Sequence, residues 1–443
     1  MIISNIKKNK KQNGLIFENL SFYLGILYVT GYNISMRIVL HSDLNNFYAT
    51  VECLLDPSLD GYPVVVCGRT EDRHGIVLAK NMIAKKAGVK TGMVLFKARE
   101  LCPNLKCVVA RHDMYIKYSK AVKKIYAEYS DRVESFGIDE AWIDLSGIAK
   151  SYEGAERIAN EIRERIKTEI GLTVSIGVSF NKVFAKLGSD LKKPDAVTVI
   201  TEKDYKTKLW NLPVEDLLYV GRSTKEKLNL LAIKTIGDLA RFDKNIIVSR
   251  LGKWGEVLHG YANGEDYSEV RKYIEHEEIK SVGNSVTYYK DMTSEDEVEA
   301  LMLLLAESVA SRMVDYGFKK ARSISLLIMF NNLDSRVRMC KMSTPTRSST
   351  EFAKYGMKLF KENFDWSQML VRGLGLSVSD FVESEQLSFE GNDKVEKEEK
   401  LESAVENLRK RFGRNILQRG IVLEDKHMSE LNIKDDHVVH PGS

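Results

Sequence analysis

The sequence predicts an α+β protein built from several domains. At roughly 150 residues per domain, its 443 residues correspond to about three domains, and a content of 44% hydrophobic and 29% charged residues is ordinary for globular proteins. Short β-branched runs alternate with amphipathic helical patterns over the first 200 residues, and short helical segments punctuated by glycine follow them. A disulfide-stapled mini-domain, a fibrous protein and a wholly disordered chain are therefore excluded.

The first 35 residues resemble a secretory signal peptide in outline, because the basic segment Lys8–Lys11 precedes the apolar run Leu20–Val29. The run is too short to span a bilayer, has Glu18 near its edge and lacks a clear cleavage site. We therefore expect residues 1–35 to be a disordered extension or a misassigned start, and the folded protein to begin near Met36.

The cysteine content indicates a reducing compartment. Five cysteines in a chain of this length are too few and too irregularly spaced for a disulfide framework. We expect free thiols, a cytoplasmic location and no membrane association.

The order of predicted elements from Met36 to about residue 180 is strand, helix, two close strands, helix and strand. The second helix has one apolar face, formed by isoleucines that recur every four positions, at Ile158, Ile162, Ile166 and Ile170. This order predicts a ferredoxin-like sheet.

Acidic residues lie at the ends of the predicted strands. Asp43 ends the first strand, and Asp139 with Glu140 separates the two close strands. Taken singly, each acid is explained most simply as a turn or capping residue. In the predicted sheet, however, the three carboxylates would converge, and hard oxygen donors without His or Cys suit Mg²⁺ when substrate phosphates supply further ligands.

Charge is distributed unevenly along the second half of the chain. Residues 315–361 contain ten basic and three acidic residues within a further α+β unit, which favours contact with a phosphate backbone over an ordinary solvated face. Residues 383–402 contain eight acids and three lysines with few apolar residues, which indicates a solvated linker.

The motifs Ser42–Glu52, Ser135–Leu145 and Asn181–Pro194 resemble three motifs of the Y-family DNA polymerases, in the right order. The resemblance is to the bacterial lesion-bypass type and extends from Met36 to about Phe381. It implies a translesion polymerase of low fidelity that adds deoxynucleotides to primer–template DNA, and no segment remains for a proofreading exonuclease.

The resemblance also implies roles for residues of these motifs. Asp43, Asp139 and the backbone carbonyl of Leu44 would hold two Mg²⁺ ions, and Glu140 would hold the ion that activates the primer 3′-hydroxyl. Tyr48 matches the aromatic steric gate that excludes a ribose 2′-hydroxyl, although an aromatic residue near a helix start is also typical of a core.

Two lysines match the family's triphosphate contacts. Lys193 matches the palm lysine, although the adjacent Lys192 could take its place and either could be a solvated lysine at a helix end. Lys85 stands where the family has arginine in an Asn-Tyr-x-Ala-Arg string. Met82 replaces the tyrosine of that string and cannot donate a hydrogen bond, so the phosphate contacts are expected to differ.

Two regions are expected to bind DNA. The segment around Gly221 and Arg222 resembles a helix-hairpin-helix, whose backbone N–H groups would contact phosphates, although Tyr219 stands where the first glycine is usual. Arg336 and Arg338 belong to the basic segment, which falls within the family's little finger domain.

A peptide for binding the replication sliding clamp is expected at the start of the acidic linker. Gln386, Leu387 and Phe389 match a shortened form of the peptide that bacterial polymerases use, and a short apolar peptide on a flexible tether can dock in a groove.

By the same resemblance the chain divides into a palm, small fingers, a helical thumb and an α+β little finger, and it acts as a monomer. The expected boundaries are 36–46 and 111–200 for the palm, 47–110 for the fingers, 201–268 for the thumb, 269–279 for a linker, 280–385 for the little finger, and 386–443 for an acidic linker and tail.

Two other functions remain compatible with the residues. A nucleotidyl cyclase also uses two metal-binding acids on a ferredoxin-like sheet, but needs neither a steric gate nor DNA-binding domains. A catalytically silent DNA-binding protein would explain Met82 and Tyr219, but gives no reason for three mutually repelling carboxylates to be kept together.

Overall fold

The computed structural model describes residues 36–68, 75–273, 279–367, 369–382, 392–413, 416–431 and 433. The predicted extension 1–35 and the predicted clamp-binding residues Gln386, Leu387 and Phe389 lie outside the described residues. In this part of the chain, no helix has the length and apolar character needed to cross a membrane. The five cysteines are free thiols.

The strands are, in chain order, β1 (Val39–Leu44), β2 (Val64–Cys67), β3 (Val77–Lys80), β4 (Lys106–Val109), β5 (Val133–Phe136), β6 (Glu140–Asp144), β7 (Val174–Ser179), β8 (Val197–Val199), β9 (Ser281–Met292), β10 (Lys320–Phe330), β11 (Ser335–Thr346) and β12 (Val371–Val382). The α-helices are α1 (Phe47–Leu55), α2 (Met82–Lys86), α3 (Leu95–Leu101), α4 (His112–Tyr129), α5 (Tyr152–Arg165), α6 (Lys182–Leu191), α7 (Tyr205–Leu209), α8 (Arg222–Asn229), α9 (Ile236–Arg241), α10 (Lys244–Leu251), α11 (Lys253–Ala262), α12 (Glu295–Asp315), α13 (Ser349–Asn363), α14 (Asn392–Phe412), α15 (Gly420–Leu423) and α16 (Lys426–Glu430).

A sheet in the order β5-β6-β1-β7-β8 carries the predicted acids. The central strand β1 pairs antiparallel with β6 and β7, which gives the predicted ferredoxin-like arrangement. Because side chains alternate along a strand, one face of β1 presents Leu40, which packs in a core with Tyr115 of α4 and Ile162 of α5. The other face presents Val39, which packs against Ala185 of α6.

Helix α6 approaches this sheet unusually closely. A Cβ added at Gly177 of β7 would lie 1.9 Å from the carbonyl oxygen of Ala185, so only glycine fits at this position. The close approach places Lys186 and Ser189 of α6 over β1, on the face that also carries His41 and Asp43.

Two smaller units flank the sheet. Between α1 and α4, the sheet β3-β2-β4 packs with α2 and α3 around a small core that includes Val65 and Leu95. After β8, the short helices α7 to α11 surround a separate core that includes Leu228 and Leu258. The change from strands to short helices agrees with the glycine-punctuated pattern of the sequence.

The last sheet has the order β11-β10-β12-β9 and is antiparallel throughout. Helices α12 and α13 cover one face, where Leu301 and Phe352 are buried against Leu326 and Leu376. The sheet contains the basic segment, and its edge strand β11 carries Arg336 and Arg338.

The chain after β12 differs from the expected solvated linker and tail. Helix α14 begins at Asn392, inside the acidic segment, and Val422, Met428 and Ile433 are buried in the core of the last domain. The acidic composition does not indicate this packing, because the polar side chains of α14 make hydrogen bonds and ion pairs with residues that are distant in the sequence.

Polar contacts attach α14 to α12 and α13. Glu402 Oε1 accepts hydrogen bonds from the backbone N–H of Ser349 at 2.8 Å and from its hydroxyl at 2.7 Å, at the N-terminus of α13. Glu307 of α12 pairs with Arg409 at 3.0 Å and with Arg419 at 2.9 Å. Burial raises the pKa of Glu402 above its ordinary value, although the hydrogen bonds oppose the rise.

Replacing Glu402 with alanine is expected to loosen α14 from the domain. The N-terminus of α13 would lose an acceptor, which is worth about 1–2 kcal/mol for a cap of this kind. Hydrogen exchange should accelerate at the amides of α14 and of the first turn of α13. Asn407→Ala changes an exposed position of α14 and serves as the control. Unchanged exchange in Glu402→Ala would contradict the assigned contact.

Candidate active site

The register of β1 and β6 brings the three predicted acids together. Asp43 lies opposite Glu140 in the ladder, and the N–H of Leu44 donates to the carbonyl oxygen of Asp139 at 3.1 Å. Asp139 ends the turn between β5 and β6, in which Gly137 takes a φ of +82°. The charges of Glu140 and Asp139 both act on Asp43, so the carboxylates lie within electrostatic reach of one another.

Asp43 is paired with a lysine that follows α6. Lys193 Nζ lies 2.7 Å from Asp43 Oδ2 and also 2.7 Å from Asp190 Oδ1. Burial raises the pKa of Asp43 to about 6, and the neighbouring carboxylates add to this rise while Lys193 opposes it. The site therefore has an excess of negative charge that a cation relieves.

Glu140 is paired with a second lysine. Lys186 Nζ donates to Glu140 Oε2, and His41 Nε2 lies 3.2 Å from the same oxygen. Burial raises the pKa of Glu140, but the contacts with His41 and Lys186 outweigh burial and hold this pKa well below its ordinary value. Because His41 is uncharged at neutral pH, Lys186 is the positive partner there.

His41 is fully buried between β1 and α6. Its side chain has 0% exposure, its Nδ1 lies 2.9 Å from Ser189 Oγ, and its ring meets that of Trp142 edge-on with centroids 5.3 Å apart. Burial lowers the pKa of His41 to about 4, so the imidazole is neutral. Its Nε2 has no aligned hydrogen-bond partner among the described residues despite the short distance to Glu140.

His41, Lys186 and Ser189 were not predicted from the sequence as residues of the site. Two features of the sequence bear on their positions. His41 precedes Asp43 by two residues and therefore lies on the same face of the strand. Lys186 and Ser189 are three positions apart in the third motif and so share a helix face. Neither signal specifies which carboxylate the residues contact.

The acids fit a divalent metal ion by chemistry. Within the described ranges, no three Asp, Glu, His or Cys side chains already converge as metal ligands. Lys193 contacts Asp43, and Lys186 contacts Glu140. The available donors are carboxylate oxygens, and Mg²⁺ and Mn²⁺ prefer oxygen ligands. The residues that carry these carboxylates are neighbours in the sheet or along the chain.

Tyr48 is held in place by aromatic stacking. Its ring is half-buried and stacks on Tyr115 with centroids 4.1 Å apart and planes 11° from parallel. The Tyr115 hydroxyl donates to buried Glu52 at 2.5 Å, and Glu52 is paired with Arg111. Burial and the charge of Asp139 raise the pKa of Tyr48 to about 12, so the phenol is neutral and close to the acids.

The two predicted triphosphate lysines lie in different surroundings. Lys193 is at the acids, as described above. Lys85 is exposed on α2, and no contact between Lys85 and the acids is present in the described part of the chain. Asn81, which begins the same string, caps α2 by accepting from the N–H of Ala84 at 3.0 Å.

Tyr219 takes the conformation that glycine usually provides. Its φ is +68°, in the left-handed region, which costs about 1–2 kcal/mol for a residue with a side chain. The hairpin before α8 therefore keeps this backbone geometry despite the substitution. Gly221 precedes α8 with open space around its Cα, and the Arg222 side chain is 94% exposed.

Arg336 and Arg338 both contact the end of α13. Arg336 donates to the carbonyl oxygen of Asn363 at 2.8 Å, and Arg338 donates to the side-chain oxygen of Asn363 at 3.0 Å. These contacts fix both guanidinium groups on the surface of the last sheet.

Comparison with known proteins identifies two matching family models. Residues 42–190 match the impB/mucB/samB family, and residues 279–390 match the C-terminal domain of that family. The first match contains all three acids and the second contains the basic segment.

Curated relatives match the chain over most of its length. DNA polymerase IV of Acetivibrio thermocellus is 49% identical over 399 residues, which cover 89% of this chain and 100% of that protein. DNA polymerase IV of Clostridium kluyveri is 36% identical over 399 residues, which cover 88% of this chain and 98% of that protein.

A solved structure has the same fold. A Y-family DNA polymerase chimera of Dbh and Dpo4 superposes with a TM-score of 0.69 at 24% identity, covering 78% of this chain and 100% of that chain. The fold and the extent of the sequence matches agree with the resemblance found in the motifs. The chain belongs to the Y-family DNA polymerases.

Proposed function

We propose that this translesion DNA polymerase transfers a deoxynucleotide to a primer 3′-hydroxyl at Asp43, Asp139 and Glu140, with release of pyrophosphate. The observation that supports this proposal most directly is the register of β1 and β6, which sets Asp43 opposite Glu140 with Asp139 one residue away. Hard oxygen donors in this arrangement suit two Mg²⁺ ions.

Each acid has a proposed role. Asp43 and Asp139 would each bind both Mg²⁺ ions, and the backbone carbonyl of Leu44 would bind one of them. Glu140 would hold the ion nearer the primer 3′-hydroxyl. When bound, the ions would supply Lewis-acid stabilisation of the charge on the attacking oxygen and on the departing pyrophosphate. The protein would supply the fixed spacing of the carboxylates.

Lys193 would couple nucleotide binding to the release of Asp43. Its ammonium group lies 2.7 Å from Asp43 Oδ2. A triphosphate carries more negative charge than a carboxylate, so Lys193 would turn to the incoming nucleotide and free Asp43 for a metal ion. Lys85, on the exposed surface of α2, would contact the triphosphate from the other side.

Tyr48 would exclude ribonucleotides. Its stacking on Tyr115, and the anchoring of Tyr115 by Glu52, leave the ring little freedom to move away from a 2′-hydroxyl. A gate of this kind works only when the ring is held rigidly, because a mobile ring would yield to the larger sugar.

DNA contacts would lie on both sides of the palm. The backbone N–H groups after Gly221 and the exposed guanidinium group of Arg222 would contact phosphates in the thumb. Arg336 and Arg338 would contact the DNA backbone from the last sheet. Gln386, Leu387 and Phe389 would bind the replication sliding clamp, and the chain would work as a monomer in the bacterial cytoplasm.

Primer extension tests the proposal. The wild type is expected to extend a singly primed template with dNTPs and Mg²⁺. Asp139→Asn and Glu140→Gln should each lower the insertion rate at least about 100-fold, because each removes charge that holds a metal ion. Asp144→Asn, at the other end of β6, is the matched control and should retain the rate.

The alternatives predict other outcomes of this assay. Binding of primer–template without extension under any divalent metal would favour a catalytically silent DNA-binding protein, and Met82 would then be the first position to examine. Cyclisation of a ribonucleotide in the absence of DNA would favour a cyclase.

Tyr48→Ala is expected to admit ribonucleotides. Removing the ring should lower the ratio of dNTP to rNTP insertion efficiency by about 100-fold, the scale of a steric pocket contact. Single-nucleotide insertion kinetics measure this ratio. Tyr48→Phe keeps the stacked ring and should keep the ratio, and a similar loss in both variants would contradict a steric role.

A further inference from the structure

His41 is a polar residue at a fully buried position between β1 and α6, where a hydrophobic side chain would be expected. Its imidazole is fully buried against Trp142, and burying a polar group without satisfying it costs free energy. Ser189 satisfies Nδ1. Nε2 is buried, has no aligned partner in the described part of the chain, and lies 3.2 Å from Glu140 Oε2.

The contacts of Glu140 distinguish its two carboxylate oxygens. Lys186 and His41 both approach Oε2, and within the described residues no hydrogen bond or ion pair involves Oε1. Lys186 is a flexible side chain that a metal ion would repel, whereas His41 is fixed by β1 and α6. After Lys186 withdraws, His41 is the group that still faces Oε2.

We propose that His41 is a positioning residue for Glu140: its Nε2–H donates to Glu140 Oε2 and leaves Oε1 for the metal ion, and Ser189 orients the ring by donating to Nδ1. The inference rests on the proposed function, in which Glu140 binds a metal ion. It adds a requirement that the His41 ring carry hydrogen on Nε2 and accept a hydrogen bond at Nδ1.

Charge decides between the two tautomers. If Nδ1 carried the hydrogen, the Nε2 lone pair would face a carboxylate oxygen 3.2 Å away, which is repulsive. The single hydroxyl hydrogen of Ser189 can point to His41 Nδ1 or to the carbonyl oxygen of Lys186 at 2.7 Å. The carboxylate of Glu140 favours the first direction, because it favours hydrogen on Nε2.

The tautomer can be measured without catalysis. In the full chain labelled with ¹⁵N-histidine, the signal that disappears in His41→Gln belongs to His41. Its nitrogen shifts are expected to show hydrogen on Nε2 at neutral pH. Hydrogen on Nδ1 would overturn the inference.

A pair of amide variants tests the effect on metal binding. The side-chain amide nitrogen of Gln at position 41 reaches the place of Nε2, whereas that of Asn reaches only the place of Nδ1. Mn²⁺ affinity would be measured by electron paramagnetic resonance on the full chain with primer–template and a non-hydrolysable deoxynucleoside triphosphate. His41→Asn should weaken Mn²⁺ binding by about 10-fold or more, and His41→Gln by less than about 3-fold.

Tyr126→Phe is the matched control for stability. It removes the 2.7 Å hydrogen bond to Ser42, the neighbour of His41 whose side chain lies on the opposite face of β1, and should leave Mn²⁺ affinity unchanged. Equal losses in the Gln and Asn variants, or no loss in either, would overturn the inference. If the wild type itself bound no Mn²⁺, the proposed function would fail instead.

Discussion

The pairing of β1 with β6 brings three carboxylates together, and the repulsion between them determines which other residues the site needs. It sets Asp43 opposite Glu140 and brings Asp139 beside both, and carboxylates at this spacing repel one another in a buried setting. Burial raises the pKa of Asp43, and the repulsion from Glu140 and Asp139 adds to the rise. A fold that gathers these acids therefore needs positive charge at the same place, whether from side chains or from metal ions.

Helix α6 and the residues after it supply that charge. Gly177 lets the helix lie directly on the sheet, so that Lys186 reaches Glu140 and Lys193 reaches Asp43. Under the proposed function, metal ions and a triphosphate would replace these lysines, whose side chains are flexible. His41 and Ser189 form a different kind of support, because they are buried and rigid. The site thus combines two lysines that metal ions and a nucleotide would replace with a buried framework of His41 and Ser189 that would hold Glu140 in position.

The sequence was sufficient for the sheet and for the acids. Strand ends and motif order predict Asp43, Asp139 and Glu140, because a strand's residues follow a local pattern.

The sequence was insufficient for His41, Lys186 and Ser189, because their contacts with one another and with Glu140 form only when α6 packs on β1. The sequence was also insufficient for the packing of α14, because Glu402 accepts hydrogen bonds from the N-terminus of α13, far away in the chain. Tyr219 stands where a glycine is usual, and its φ of +68° lies in the left-handed region that glycine adopts readily. The DNA and clamp contacts stay predictions.

The central claim is that metal ions and a nucleotide replace the two lysines at the acids. Anomalous diffraction from Mn²⁺ in crystals of the full chain, with primer–template and a non-hydrolysable deoxynucleoside triphosphate, tests it most directly. The account predicts Mn²⁺ bound by Asp43, Asp139 and Glu140, with Lys193 moved to the triphosphate. A complex in which the nucleotide is bound, Lys193 still contacts Asp43 and no Mn²⁺ lies at the acids would contradict it.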